Sequence, residues 1–322
     1  MLITKPDFAA LLRKRGILII DGALATELEA RGLNLNHALW SGKVLRERPE
    51  VIQQVHLDYY LAGADIAITA SYQTSTIGLK EHFGLPEAEA IELIKRSVRL
   101  GQRARCEAYQ SGRIERTRRL FVAGSVGPLG AYLADGSEYR GDYRRTKEEF
   151  KDFHRPRMQA LVDAAVCLLA IETMPNLAEI EAVTEMLAEE KIFRHVVAWI
   201  SVTLKDAEHL SDGTPLQDVL ALVRQAPNIV AFGVNCVPTE LVEPCLKHLS
   251  SLQVPGQEVP LLCYPNSGEV WDAVTKTWSG KQGDGGVLAE QARRWRDAGA
   301  KLLGGCCRTG PRDVEVISGA SN

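Results

Sequence analysis

The sequence lacks any segment that is long and apolar enough to cross a lipid bilayer. Its longest uninterrupted apolar run, Ala164 to Ile171, falls far short of the roughly 20 residues that a transmembrane helix needs. The first residues, Met1 to Asp7, do not contain the apolar core of a secretory signal peptide. The seven cysteines form no pattern typical of a secreted disulfide-rich protein. We therefore expect reduced thiols in a cytoplasmic protein that has no membrane partner.

An excess of positive charge and several common site motifs are also absent. The chain has 38 Lys and Arg against 41 Asp and Glu, a formal net charge of −3, which argues against nucleic acid as a partner. The seven histidines show neither an H-E-x-x-H motif nor another paired metal-ligand spacing. The cysteines include no C-x-x-C motif, the usual spacing of dithiol redox centres.

The 322 residues do contain eight apolar runs that alternate with segments of helical periodicity. Most of the runs are continuous, which is typical of strands buried on both faces of a parallel sheet. The predicted strands are Gly16–Asp21, Asp65–Thr69, Leu120–Ser125, Leu168–Thr173, Val196–Thr203, Ile229–Cys236, Leu261–Asn266 and Lys301–Cys306. The predicted helices are Pro49–Ala62, Pro86–Tyr109, Phe150–Ala165, Leu177–Glu190, Pro215–Ala226, Thr239–Ser250 and Leu288–Ala298.

This order of elements predicts an α/β protein, and eight strand–helix units favour a closed (β/α)8 barrel of the TIM type that occupies residues 1–322 as a single domain. An open doubly wound sheet is the alternative. Such a sheet usually carries a glycine-rich nucleotide fingerprint after its first strand, and Asp21-Gly22-Ala23-Leu24 does not match one.

In a barrel, catalytic residues lie where strands end. The predicted ends carry thiols, carboxylates and amides: Asp21, Thr69, Gly124, Glu172, Thr203, Asn235, Cys236, Tyr264, Asn266, Cys306 and Cys307.

Two adjacent thiols, Cys306 and Cys307, follow a pair of glycines at the end of the last predicted strand. Adjacent side chains on a strand point to opposite faces, so both sulfurs reach one point only if the strand ends and the chain turns there. Gly304 and Gly305 permit this turn. Cys236, which also follows an apolar run, is the best candidate for a third sulfur. These residues indicate a three-cysteine zinc site with one position open.

Other interpretations of the cysteines remain at this point. In one interpretation, Cys306 and Cys307 form a vicinal disulfide or redox pair. A closed structural zinc site is another, but it normally has four ligands at short local spacings, whereas Cys236 is distant and no fourth ligand is evident. Free cysteines also fill space in protein cores. That is our interpretation of the remaining four: Cys106, Cys167, Cys245 and Cys263.

Two carboxylates at predicted strand ends have both a functional and a structural interpretation. Glu172 ends an apolar run, and a buried charge is costly unless it is paired. It is either a partner for the ammonium group of a ligand or half of a salt bridge to a lysine or arginine. Asp21 is either a ligand contact or the N-cap of a following helix, Ala23–Arg31.

An unusually long loop runs from Gly127 to Tyr143. Long ordered loops in compact domains tend to be lids or binding loops. Its aromatic and acidic side chains suit a cover over a cationic ligand. These side chains are Tyr132, Asp135, Glu138, Tyr139, Asp142 and Tyr143. The alternative is a surface excursion built from ordinary turn residues.

Five motifs are spread over the predicted strand ends and the long loop. Three of them resemble the zinc-dependent homocysteine S-methyltransferases: Asp-Gly-Ala-Leu-Ala-Thr-Glu-Leu at 21–28, Gly-Val-Asn-Cys at 233–236 and Gly-Gly-Cys-Cys-Arg-Thr at 304–309. The other two are similar to the branch that uses S-methylmethionine or S-adenosylmethionine: Asp-Gly-Ser-Glu-Tyr-Arg-Gly-Asp-Tyr at 135–143 and Tyr-Pro-Asn-Ser-Gly-Glu at 264–269. The resemblance extends over nearly the whole chain.

The resemblance implies a (β/α)8 barrel that moves a methyl group from the sulfonium donor to L-homocysteine and forms methionine. It implies three ligands for Zn²⁺: Cys236, Cys306 and Cys307. It implies three residues that help to hold the amino acid group of homocysteine: Asp21, Glu172 and Asn235. The candidates for binding the donor are then the loop residues Tyr132, Glu138 and Tyr139.

The reaction implied by the resemblance assigns no side chain as acid or base, because the nucleophile is the zinc-activated thiolate of the substrate. Two other functions stay open. One is a thiol-redox enzyme that uses the vicinal cysteines, and the other is a non-catalytic barrel that binds sulfur amino acids or zinc. The sequence does not indicate the oligomeric state.

Overall fold

The computed structural model shows a ring of eight parallel strands. It describes residues 3–35, 39, 41–268, 270–272, 277–279 and 285–321, and Glu269, the last residue of the motif at 264–269, lies outside them. The strands of the ring are β1 (Leu18–Ile19), β2 (Ile66–Ile68), β3 (Phe121–Val126), β4 (Leu168–Met174), β5 (Ala198–Val202), β6 (Ile229–Asn235), β7 (Leu261–Tyr264) and β8 (Ala300–Leu303).

The pairing of these strands closes the ring. From β2 to β8, each strand pairs in parallel with the next one along the chain. Strand β8 pairs with β1 at Leu18 and Leu302, and a parallel bridge between Ile20 and Ile66 joins β1 to β2. The closed ring confirms the predicted (β/α)8 barrel and excludes the open doubly wound sheet.

Each strand is buried on both faces, which explains the continuous apolar runs. All seven residues of β4 are buried. Leu168 and Ala170 pack into the cluster inside the barrel, whereas Leu169 and Ile171 pack into the larger cluster between the strands and the helices. Alternate residues of one strand therefore serve two cores, because successive side chains point to opposite faces.

Helices surround the ring. In the described residues they are α1 (Lys5–Arg15), α2 (Leu24–Ala30), α3 (Ser41–Glu47), α4 (Pro49–Leu61), α5 (Thr76–Phe83), α6 (Glu87–Gln110), α7 (Leu129–Leu133), α8 (Lys147–Asp163), α9 (Leu177–Glu189), α10 (Leu216–Gln225), α11 (Thr239–Ser251), α12 (Gly285–Asp297) and α13 (Pro311–Ser321). Two antiparallel hairpins pair Leu204–Asp206 with His209–Leu210, and Val270–Asp272 with Thr277–Ser279. No helix of the described ranges is long and apolar enough to pass through a membrane.

All eight predicted strands and all seven predicted helices are present, with shifted ends. Helix α8 begins at Lys147 rather than at Phe150 because Thr146 and Glu149 form a capping box there. Strand β8 ends at Leu303, before the cysteines. The chain can therefore turn after the strand, as convergence of the two sulfurs requires.

Periodicity did not predict five of these helices: α3, α5, α7, α13 and, ahead of the first strand, α1. Its Phe8 and Leu12, together with Ile3, pack into the inner cluster and close the amino end of the barrel. A local signal was present, because Thr4 and Asp7 form a capping box at the start of this helix.

Candidate metal and substrate site

A cavity of about 160 Å³ lies at the carboxyl ends of the barrel strands. This is the end at which barrel enzymes place their active sites. The residues that line the cavity include the strand-end residues Asp21, Thr69, Ser125, Glu172, Asn235 and Tyr264. Three other predicted strand-end residues are not part of the lining: Gly124, Thr203 and Asn266.

The three predicted zinc ligands also line this cavity. The sulfur atoms of Cys236, Cys306 and Cys307 all lie within 4.8 Å of one another, although 70 positions separate the first two along the chain. The Sγ atoms of Cys306 and Cys307 are 4.0 Å apart. Among the residues that the structure describes, this is the one group of His, Cys, Asp and Glu that is compact enough to hold a metal ion.

Cys236 and Cys306 are joined as a disulfide, with their Cα atoms 5.5 Å apart. Cys307 is a free thiol, so the pair is not the vicinal one that the sequence suggested as an alternative. Burial raises the pKa of the Cys307 thiol to about 12. A cation is therefore needed to hold this sulfur as a thiolate at neutral pH.

Backbone contacts between neighbouring loops fix the positions of the cysteines. The Cys306 amide donates to the carbonyl of Pro265 at 2.7 Å, and the Cys236 amide donates to that of Tyr264 at 3.2 Å. A Cβ atom on Gly305 would lie 2.5 Å from the Cβ of Thr309, so this position has no room for a side chain. The close approach explains the glycine directly before the two thiols.

Strained backbone surrounds the cysteines. Cys236 has φ +50° and Thr173 has φ +63°, and this left-handed conformation is uncommon for a β-branched residue. Asn235 holds Thr173 with both ends of its amide: its Oδ1 accepts from the Thr173 N–H at 2.8 Å, and its Nδ2 donates to the Thr173 Oγ1 at 2.8 Å. Such strain persists only where the surroundings enforce it, and it clusters at functional sites.

Glu172 is buried at the cavity wall, 7% exposed. Its carboxylate accepts hydrogen bonds from the hydroxyls of Ser125 and, at 3.2 Å, of Tyr264. Burial raises the pKa of this carboxyl to about 7. The salt bridge to a lysine or arginine that was one interpretation of Glu172 is not formed within the described ranges, so its side chain is available to a cation in the cavity.

Asp21 is buried and lines the same cavity. Its Oδ2 accepts from the amide of Ile68 at 2.8 Å and so ties β1 to β2. Helix α2 begins after Ala23 without a side-chain cap, so the interpretation of Asp21 as an N-cap was wrong. Burial and the charge of Glu172 raise the pKa of Asp21, while the bond from Ile68 opposes the shift.

The long loop contributes two of its three predicted residues to the cavity. Glu138 and Tyr139 line it, on a short 3-10 turn at Ser137–Tyr139. Within the described part of the chain, the buried Oε2 atom of Glu138 has no hydrogen-bond partner, and burial raises the pKa of this carboxyl to about 7. Tyr132 is not part of the lining; its hydroxyl donates to Glu81 at 2.7 Å and its ring packs on Phe153.

Several residues that build the site were not predicted from the sequence. Tyr72 lines the cavity, and the only sequence signal was its position shortly after a predicted strand end. Ser125 closes a predicted strand, yet nothing in the sequence paired it with Glu172. Cys106 was wrongly interpreted as buried, since it is exposed, whereas the other three packing cysteines are buried.

Comparison with known proteins agrees with this geometry. The family model described as homocysteine S-methyltransferase matches residues 18–321. The homocysteine S-methyltransferase of Escherichia coli strain K12 is 54% identical over 312 residues, which cover 97% of each chain.

Two solved structures of the homocysteine methyltransferase MmuM from Escherichia coli are similar to this barrel. The structure described as the metallated form is 51% identical, covers 96% of this chain and 98% of that chain, and gives a TM-score of 0.85. The structure described as the oxidized form is 51% identical, covers 97% and 98%, and gives a TM-score of 0.86. With a matching family model over nearly its whole length, this chain belongs to the homocysteine S-methyltransferase family and is an enzyme that methylates homocysteine.

Proposed function

We propose that this enzyme takes the methyl group from a sulfonium donor, S-methylmethionine or S-adenosylmethionine, and transfers it to L-homocysteine at a Zn²⁺ site, forming methionine. The observation that carries the proposal is the convergence of three cysteine sulfurs, within 4.8 Å of one another, at the edge of a cavity lined by carboxylates.

The donor set fits zinc. Cys236, Cys306 and Cys307 supply three sulfurs, the ligands that Zn²⁺ takes in many tetrahedral sites. Zn–S bonds of about 2.3 Å place tetrahedral sulfurs about 3.8 Å apart, close to the 4.0 Å between Cys306 and Cys307. Cys236 and Cys306 must be reduced to serve as ligands. Bound zinc keeps a coordinated thiol in its thiolate form, and the adjoining cavity gives homocysteine access to it.

We assign the amino acid group of homocysteine to the wall formed by Asp21 and Glu172. A buried carboxylate favours a cationic partner, and the substrate ammonium is such a partner. The raised pKa of Glu172, about 7 without ligand, shows how poorly its present surroundings compensate the charge. Asn235 supports this wall indirectly, because its amide is committed to Thr173.

We assign the donor to the part of the cavity lined by Glu138 and Tyr139. The sulfonium donor carries positive charge. A carboxylate with one oxygen that has no hydrogen-bond partner among the described residues, next to an aromatic ring, suits a cation. Tyr132 acts from outside the cavity, where it packs the loop against Phe153.

The reaction needs no acid or base from the protein at the leaving group. Thiolate and sulfonium give two neutral thioethers, so charge disappears as the methyl group moves. An enclosed site that excludes water favours such a step. What the residues must supply is alignment of the two sulfurs with the methyl carbon, at about 3–3.5 Å contact.

A donor panel tests the proposal. Methionine formation from homocysteine is measured with S-methylmethionine, S-adenosylmethionine, betaine and a methylated folate, with and without a zinc chelator. We expect turnover with the sulfonium donors, loss of turnover with chelator, and recovery with added Zn²⁺. Turnover that survives complete removal of metal, or that uses only betaine or folate, contradicts the proposal.

The disulfide between Cys236 and Cys306 supports one alternative, a thiol-redox enzyme. That enzyme would cycle the disulfide during turnover and carry no stoichiometric metal. Mild reduction in the presence of Zn²⁺, followed by measurement of metal and thiol content, distinguishes the two functions. The methyltransferase should gain about one Zn²⁺ per chain, as one three-ligand site requires, whereas the redox enzyme should gain only two thiols.

A further inference from the structure

One buried carboxylate holds both ends of the long loop that contributes Glu138 and Tyr139 to the cavity lining. Glu179, on α9, is completely buried. Its Oε1 accepts from the Leu129 amide at 2.6 Å, and its Oε2 accepts from the Tyr143 hydroxyl. Leu129 and Tyr143 lie on either side of the segment that carries Glu138 and Tyr139, so a single side chain fixes where this segment starts and ends.

A neutral histidine connects Glu179 to a buried arginine. His154 Nε2 lies 2.7 Å from the Glu179 Oε1, and its Nδ1 lies 3.1 Å from an Arg157 guanidinium nitrogen. Arginine only donates hydrogen bonds, so Nδ1 is the acceptor and the ring proton is on Nε2, where it donates to Glu179. Burial lowers the pKa of His154, which keeps the ring neutral. Arg157 thus balances the charge of Glu179 across the ring.

Arg157 extends the network to a second loop at the cavity. Its guanidinium donates to the carbonyl of Tyr72 at 2.6 Å and to that of Gly127 at 2.5 Å. Tyr72 lines the cavity, and Gly127 is the first residue of the long loop. Glu179, His154 and Arg157 themselves are absent from the described lining, so their influence on bound substrates passes through these loops.

Packing inside the loop transmits the position of its ends to Glu138. A Cβ atom on Gly130 would lie 2.6 Å from the Glu138 amide nitrogen and 2.8 Å from the Tyr143 ring. The Thr203 hydroxyl also donates to the Glu138 carbonyl, at 3.1 Å. With this little free space, release of Tyr143 or Leu129 displaces the Glu138 carboxylate.

We propose that Glu179 is a positioning residue for the methyl donor. It fixes the loop before the donor arrives, so that Glu138 and Tyr139 face the donor's positive charge without an ordering cost at binding. The proposal rests on the proposed sulfonium-dependent function, and it assigns to Glu179 the donor half of the site and not the homocysteine half.

Replacement of Glu179 by Gln tests the assignment. The amide keeps the size of the side chain but removes its negative charge, so the contact with the Leu129 amide is no longer charge-assisted. The Tyr143 hydroxyl, which now donates to Oε2, must reverse and accept from the glutamine NH2 group. We expect the KM for the sulfonium donor to rise about tenfold, the factor that corresponds to 1.4 kcal/mol and to a lost charged hydrogen bond. The KM for homocysteine and the metal content stay within about twofold, which is within the scatter of surface substitutions.

Two further variants sharpen the comparison. Tyr143→Phe removes only the hydroxyl contact and should raise the donor KM in the same direction but less. Combined with Glu179→Gln, its effect should be less than additive, because both changes act on the same hydrogen bond, the one between Tyr143 and residue 179. The matched control is Glu185→Gln on the same helix. It loses ion pairs to the exposed Lys147 and the buried Lys151, neither of which belongs to the loop, and should leave the donor KM unchanged.

Limited trypsin digestion without substrates gives a readout that does not depend on the chemistry. Arg140, Arg144 and Arg145 are exposed cleavage sites within or next to the loop, and we expect Glu179→Gln to speed cleavage there severalfold.

Unchanged cleavage and an unchanged donor KM overturn the proposal, as does an equal rise of both KM values with loss of metal. If Glu179→Gln does not fold, Tyr143→Phe decides in the same two assays. If the wild type shows no transfer from sulfonium donors, the proposed function fails, and the digestion still decides whether Glu179 holds the loop.

Discussion

Replacement of Glu172 by Gln separates the binding of homocysteine from the binding of metal. The variant keeps the shape of the side chain and one acceptor oxygen. Ser125 and Tyr264 donate to different oxygens of Glu172, so one of these hydroxyls must turn and accept from the glutamine amide. The substitution removes the charge that faces the cavity. If Glu172 pairs with the substrate ammonium, homocysteine loses a buried ionic contact, while the three cysteines keep their surroundings.

The structure sets the expected size of this effect. Truncating one partner of a buried, hydrogen-bonded charge pair costs about 2–5 kcal/mol. Glutamine still accepts a hydrogen bond from the ammonium, which favours the lower half of that range, about 2–3 kcal/mol. The KM for homocysteine should therefore rise about 30- to 150-fold.

Initial rates against homocysteine concentration, at saturating donor, measure this change, and metal analysis of the same preparation gives the zinc content. Glu185→Gln is the control for loss of a glutamate charge on the surface. A homocysteine KM within about twofold of the wild type, the range of a neutral surface change, refutes the assignment and leaves Glu172 as a structural hydrogen-bond acceptor. Loss of zinc in parallel with the KM effect refutes it as well.

The pH profile gives a second test of the same residue. Burial raises the pKa of Glu172 to about 7, so its ammonium-binding charged form is lost as the pH falls below that value. The wild-type kcat/KM for homocysteine should fall on the acidic side, and Glu172→Gln should lack that part of the decrease. Superimposable acidic limbs in the two proteins would show that another group titrates.

Three further predictions concern the metal and the loop. Cys306→Ser should lose zinc and methyl transfer together, whereas Cys106→Ser, at an exposed thiol outside the site, should keep both; metal analysis and rates check this. Gly305→Ala places a methyl group 2.5 Å from the Thr309 Cβ and should cost about 1–3 kcal/mol of unfolding free energy, measured by denaturant titration of the metal-free protein, with weaker zinc binding. Glu138→Gln should raise the donor KM about tenfold, as loss of one charged contact does, with an unchanged homocysteine KM; equal shifts of both would place Glu138 elsewhere.

Local sequence patterns were sufficient for the barrel because each pattern reports a local physical requirement. A strand buried on both faces must be apolar at successive positions, and β4 shows this from Leu168 to Ile171. Helices α8 and α9 carry their own start signals, since Thr146 and Asn176 cap the first turn of each. Helix α1, one of the helices that periodicity did not predict, shows the limit: its capping box is a local signal, but Phe8 and Leu12 gain their packing partners only in the inner cluster.

The sequence by itself determined the fold, the three candidate sulfurs and Glu172, because strand ends in a closed barrel meet at one rim whatever their separation along the chain. Only the tertiary structure decided what each polar group contacts there. It committed Asn235 to Thr173, tied Asp21 to Ile68 and joined Glu179 to both ends of a loop, at distances of 36 and 50 positions along the chain. Hydrogen bonds depend on ångström-scale geometry that strand register and helix packing set together, and no local pattern in the sequence encodes that geometry.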